Sequence, residues 1–200
     1  MFLWDTTFFS PIRVFFVAIH ESMHAIATII TGGSVGSIGL TGYEGVMKPS
    51  ENGFVPLVSV AGYLGTALIG GFLISTKNKS VSLFVISLIV FIFITIYIES
   101  WFSLEYIGVA FVTAIIFYLS KKGLHLEYVA GIVGSLLVFA SLQDVKMYLL
   151  RIPGETDAGI LANYLHMPFL TLPISIFMLL ITVLIYYKAF KSRLSRTSNL

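Results

Sequence analysis

A chain of 200 residues that is 57% hydrophobic and only 11% charged, with mean hydropathy +0.94, departs from a soluble domain, whose apolar share is about 45–50%. It has no cysteine, which excludes disulfides and thiolate metal ligands. Its formal net charge of +2, with no basic cluster interleaved with aromatics on a polar face, argues against a nucleic-acid partner.

The surplus apolar residues fall in long runs, so the sequence predicts an integral membrane protein. The opening "MFLWDTTFFSPIR" lacks a basic start and places its first charge at Asp5. No small-residue cleavage site follows, so the first run is expected to be a retained transmembrane helix. It spans residues 11–30 and contains "HESMH", with His20, Glu21 and His24 inside a segment otherwise suited to hydrocarbon. A charged side chain at membrane depth costs at least about 2.5–3.5 kcal/mol on insertion scales, so such residues are rare without a purpose.

On a helix, positions i and i+4 share a face. His20 and His24 can therefore turn a ring nitrogen each toward one metal ion, and neutral imidazole suits zinc. Glu21, beside the first histidine, is placed to take a proton from a water that the metal has made acidic. This is the H-E-x-x-H logic of zinc hydrolases. The bland alternative is a pair of core histidines hydrogen-bonded to neighbouring helices.

The next stretch, "TGGSVGSIGLTGYEGVMKPSENG", is too polar to span. Its patchy apolar pattern allows either a flexible Gly-rich loop or a short β-hairpin. The second apolar run, 55–75, places Ala61 and Gly65, Gly62 and Thr66, Thr66 and Gly70, and Ala67 and Gly71 four apart. Small residues at that spacing make a smooth face that a neighbouring helix can approach closely. Further runs occupy 81–98, 104–119, 128–150 and 170–188, each close to the roughly 20 residues that cross a bilayer as a helix. The expected fold is an all-α integral membrane protein, a single domain over 1–200. It is a bundle of about six transmembrane helices with the loop or hairpin between the first two.

With six crossings, Lys77 and Lys79, Lys121 and Lys122, and the tail residues Lys188, Lys191, Arg193 and Arg196 fall on one side. The positive-inside rule makes that side cytoplasmic, with both termini and a short basic tail, 188–200, inside. The other side holds Lys48, Lys146 and Arg151 with Glu99, Glu105, Glu155 and Asp157.

A catalytic zinc takes three protein ligands and keeps one open position. Candidates for the third are Asp144, Asp157, His125, His166, Glu99 and Glu105. Asp144 lies late in the fifth run, in "LLVFASLQDVKMYLL", where an unpaired carboxylate is costly and a cation would supply its partner. For Asp157, in "GETDAGILANYL", capping of a short helix by Thr156 or by Asp157 itself is the plain alternative. His125 and His166 read as loop residues, and Glu99 and Glu105 as interfacial ones.

These residues together resemble the site-2-protease-like intramembrane zinc metallopeptidases, in particular their compact B-type branch. The resemblance rests on "HESMHAIATIITGG", "GYEGVM", "VAGYLGTALIGG", "SLQDV" and "TDAGILA", and it covers most of the chain. It implies His20 and His24 as ligands of one zinc ion, Glu21 as general base, and an acidic third ligand from a later helix. Asp144 is the position carried over for that ligand, with Asp157 in reserve. It also implies an edge after the first helix against which an extended substrate can lie. Asp144 is followed by Val145 rather than by the family's glycine, and no accessory peptide-binding domain is expected within these 200 residues.

The expected activity is hydrolysis of peptide bonds in membrane-embedded or membrane-adjacent substrates. A second class is a metal-binding membrane protein without hydrolytic activity, a transporter element or a scaffold, in which Glu21 has no necessary task.

Overall fold

The computed structural model describes residues 10–41, 44–122, 126–148 and 156–197, with side chains described throughout these except at 141–148 and 196–197. Among the described residues there are seven α-helices and one two-stranded sheet. They run α1 (Ser10–Ile30), β1 (Ser34–Leu40), β2 (Gly45–Glu51), α2 (Val55–Ser75), α3 (Lys79–Tyr97), α4 (Leu104–Lys121), α5 (Leu126–Tyr148), α6 (Asp157–Tyr164) and α7 (Thr171–Thr197), with a short 3-10 turn at Pro168–Leu170. Five helical stretches are long and apolar enough to cross a membrane by length and composition: Ser10–Ile30, Val55–Ser75, Lys79–Tyr97, Leu104–Lys121 and Pro168–Ser195. The protein is thus multi-pass.

The expected bundle of about six spans needs adjustment. The fifth expected span coincides with α5, whose described apolar part is Leu126–Ala140. The short α6 is an additional helix, because Thr156 and Asp157 start a turn of helix in a segment too polar to register as a span. The region after α1 is a β-hairpin, the sharper of the two expectations.

The chain forms two compact units, residues 1–54 with 80–126, and residues 55–79 with 127–200. In the first, α1 packs against α4 and against both strands. Helices α3 and α4 make a hairpin of their own, with Phe91 stacked on Tyr106 at 6.1 Å and Thr95 Oγ1 3.1 Å from the Tyr106 hydroxyl. Ser103 starts α4 by accepting from the Tyr106 N–H at 3.1 Å, satisfying one of the helix's orphan donors. The exposed faces of α3 and α4 are apolar, with Ile92, Ile107 and Phe111 among them, as lipid contact requires.

In the second unit, α2 packs on α6 and α7. Tyr63, Ala158 and Met178 form one core cluster, and Ile74, Val138 and Ala189 another. Gly62, Thr66, Ala67, Gly70 and Gly71 are all buried along α2. A Cβ on Gly70 would stand 2.7 Å from the Gly134 carbonyl oxygen, and one on Gly134 would stand 2.8 Å from the Gly70 carbonyl oxygen. The small-residue stripe is therefore a close backbone approach of α2 to α5.

The turn out of α1 fixes where the hairpin starts. Gly32, at φ +86°, takes the left-handed position after the helix. Its N–H donates to the Ile29 carbonyl at 3.1 Å, and the Gly33 N–H donates to that of Thr28 at 2.9 Å. This is the paired bonding of a Schellman end. Gly33 abuts the backbone of residues 51–53, where any Cβ would collide. The Phe54 N–H donates to Thr31 Oγ1 at 2.9 Å, so both ends of the hairpin are fastened to the last turn of α1.

Strands β1 and β2 pair antiparallel, with Leu40 opposite Gly45 and Ser37 opposite Lys48. The outer side of β1 is bridged at Ile38 to Ile98, with the Glu99 N–H donating to the Ile38 carbonyl at 3.2 Å. The sheet has two strands, so β2 is an edge.

Candidate metal centre

On α1 the spacing of four does what helical geometry predicts. His20 and His24 point the same way, their Nε2 atoms 3.0 Å apart and their rings edge to face with centroids at 4.7 Å. Two nitrogen ligands at about 2.0–2.1 Å on a tetrahedral ion stand about 3.3 Å apart, so this pair is aimed as ligands of a shared ion are. His24 and Glu21 are buried, and His20 is half-buried. The hydroxyls around them are satisfied by their own helix. Thr28 Oγ1 donates to the His24 carbonyl at 2.9 Å, and Ser22 Oγ donates to that of Ala18 at 2.7 Å. Such back-bonding lets polar residues sit at membrane depth without water.

Glu21 lies against the first residue of β2. A Cβ on Gly45 would stand 2.8 Å from Glu21 Oε1 and 2.7 Å from Val17 Cγ1. Sequence reasoning passed over Gly45. Its only signal was a glycine at a strand start, and the partner that makes it matter lies 24 positions upstream.

Asp157 opens α6. Thr156 is the N-cap, its Oγ1 accepting from the Gly159 N–H at 2.9 Å. The capping task that could have accounted for Asp157 is therefore taken by its neighbour. Among the described residues, His20, His24 and Asp157 form a group that could hold a metal ion, each offering one ligand atom, all within 4.8 Å of one another.

The other described candidates, His166, Glu105 and Glu99, have local roles of their own. Asp144 lies in the part of α5 whose side chains are outside the described residues, and His125 is outside them as well. His166 is exposed and takes φ +56°. Its N–H donates to the Asn163 carbonyl at 2.9 Å, and the Met167 N–H donates to that of Ala162 at 2.9 Å. It is the left-handed cap of α6, a position histidine tolerates better than most residues. Glu105 sits in the first turn of α4, where a negative charge suits the helix dipole. Glu99 accepts from Lys48 Nζ at 2.7 Å and from Ser37 Oγ at 3.0 Å. The Lys48 bond, then that of Ser37 and the Lys48 charge, hold its carboxyl below the usual carboxylate range.

Two imidazoles, one carboxylate and no thiol suit zinc, and three protein ligands leave a fourth position for water or substrate. Beyond this geometry, the Peptidase M50B-like family model matches residues 1–189. The chain belongs to that family, the B-type branch of the site-2 proteases. No curated protein and no solved structure matches it. Membership makes this M50B-like protein a membrane metallopeptidase by family, which agrees with its five apolar helices.

Proposed function

We propose that this M50B-like protein is an intramembrane zinc endopeptidase, with His20, His24 and Asp157 as ligands of one zinc ion and Glu21 as general base. The observation that carries the reading is the His20–His24–Asp157 group beside a buried glutamate. Asp144 remains the competing third ligand from the sequence, and substitution separates the two. Bound there, zinc would polarise a carbonyl and acidify a water. Glu21 accepts the proton of the attacking water and returns it to the departing amine. Burial of Glu21 and its contact with β2 limit the positions from which it does so.

The substrate is read as a membrane-embedded or membrane-adjacent peptide. A peptide bond inside a helix is shielded, so the segment must unwind, and its exposed amides then need partners. The edge of β2 can supply them by strand addition. Because β1 is already bridged to Ile98 on its outer side, β2 is the side left for a guest. The positive-inside pattern supports cytoplasmic termini in the cell membrane.

The test is Glu21→Gln in the full chain, purified in detergent and given a quenched fluorogenic peptide containing one apolar segment. Loss of a general base lowers kcat by about 10²–10⁴-fold, with zinc retained. Undiminished cleavage in Glu21→Gln contradicts the proposal, and it favours the non-hydrolytic metal-binding alternative if zinc is bound.

A further inference from the structure

Gly45 meets no backbone demand that requires glycine. Among the described residues Gly32 is the glycine with φ in the left-handed region, so what position 45 needs is space. The atoms a Cβ would strike are the side-chain atoms of Glu21 and Val17. Val17 lies one turn before Glu21 on the same face of α1. The strand start therefore rests directly on the Glu21 side chain, with Val17 beside it.

We propose that Gly45 is a positioning residue for Glu21: its bare backbone seats β2 against the glutamate and fixes where the carboxylate points. The inference rests on the reading of Glu21 as general base. It differs in kind from the role of Gly33, where a Cβ would meet backbone atoms and the turn itself would have to shift. At position 45 the atoms that give way belong to side chains, and the nearest is Glu21 Cγ at 2.5 Å, the carbon that carries the carboxylate. A methyl here leaves the two imidazoles alone and displaces the base. The strand proposed to receive substrate and the group proposed to take the proton are thus set by one contact.

The experiment compares wild type, Gly45→Ala, Gly45→Ala with Val17→Ala, and Gly39→Ala in the full chain in detergent. It reads zinc content, thermal midpoint, and kcat and KM on the same quenched peptide. Misplacement of a reacting group by about 1 Å costs on the order of 10²-fold. Gly45→Ala is expected to lose about that much kcat with KM, zinc and thermal midpoint little changed. Adding Val17→Ala gives the new methyl a place to lie and recovers much of the loss. Gly39→Ala, whose Cβ would meet only the end of the Glu99 side chain at 3.1 Å, keeps wild-type kcat and controls for disturbance of the hairpin. The inference is overturned if Gly45→Ala keeps wild-type kcat, if it loses zinc or its fold along with activity, or if Val17→Ala restores nothing. Cleavage that does not depend on Glu21 in the wild-type background defeats the reading of Glu21 itself and is recognised by Glu21→Gln.

Discussion

Lys48 Nζ and Glu99 Oε1 stand 2.7 Å apart, joining β2 to the turn that follows α3. With Ser37 donating from β1 to the same oxygen, one carboxylate holds both strands. Sequence reasoning had set Lys48 and Glu99 on the same side of the membrane from charge distribution alone, and their contact agrees with that.

This latch is acid-sensitive. The folded carboxyl of Glu99 titrates below its ordinary 4.5 because Lys48 and Ser37 bond to its charged form. A depressed pKa contributes stability that is present above the unfolded value and is lost as pH falls through the folded one. The thermal midpoint of wild type is therefore expected to exceed that of Glu99→Gln above pH 4.5, with the gap closing at lower pH. The gap is small, since both partners are exposed. Melting curves of the two proteins across that pH range check it, and a gap that widens on acidification contradicts the assignment.

The turn out of α1 predicts a graded pair of losses. Gly32→Ala forces a side chain into the left-handed region, at about 1–2 kcal/mol. Gly33→Ala costs more, since its Cβ would meet the backbone of residues 51–53. Denaturation in detergent should rank wild type above Gly32→Ala and Gly32→Ala above Gly33→Ala. The reverse order for the two variants would remove the close approach of the hairpin ends from the account.

Two glycines three apart on α5 should behave oppositely. Gly134→Val collides with the Gly70 carbonyl and with Leu73, an overpacking that costs about 1–3 kcal/mol. Gly131→Ala meets only Arg193 Nη1 at 3.8 Å and should hold or slightly raise the thermal midpoint, because alanine is the better helix former. Equal effects at the two positions would mean that the α2–α5 approach does not depend on Gly134.

His20→Ala or His24→Ala should each remove the metal, while Glu21→Gln keeps it. Elemental analysis of the purified variants separates ligand from base. Zinc lost on Glu21→Gln would make the carboxylate a ligand and leave the proton transfer without an acceptor.

The helices were legible because lipid demands long apolar runs, and all six expected spans begin within two residues of an observed helix. The histidine pair was legible because i, i+4 spacing is local. The third ligand was not, since nothing in a sequence says which distant carboxylate, Asp144 or Asp157, would serve the pair. Asp157 moreover has the look of a capping residue. Only when Thr156 is seen to take the cap does Asp157 become available for another task. Asp144, whose side chain lies outside the described residues, stands out in the sequence because it sits in an apolar run, a signal about cost rather than about direction. The hairpin was half legible: its glycines suggested a loop, and its apolar residues suggested strands. The use of Gly45 depends on a contact with α1 that no local pattern encodes.

The most direct test of the account is zinc content in Asp157→Asn and Asp144→Asn, purified beside wild type in detergent. The account predicts about one zinc per chain in wild type, as a single three-ligand site requires, with zinc retained in Asp144→Asn and largely lost in Asp157→Asn. Full zinc in Asp157→Asn, or a folded wild-type protein without zinc, would contradict it.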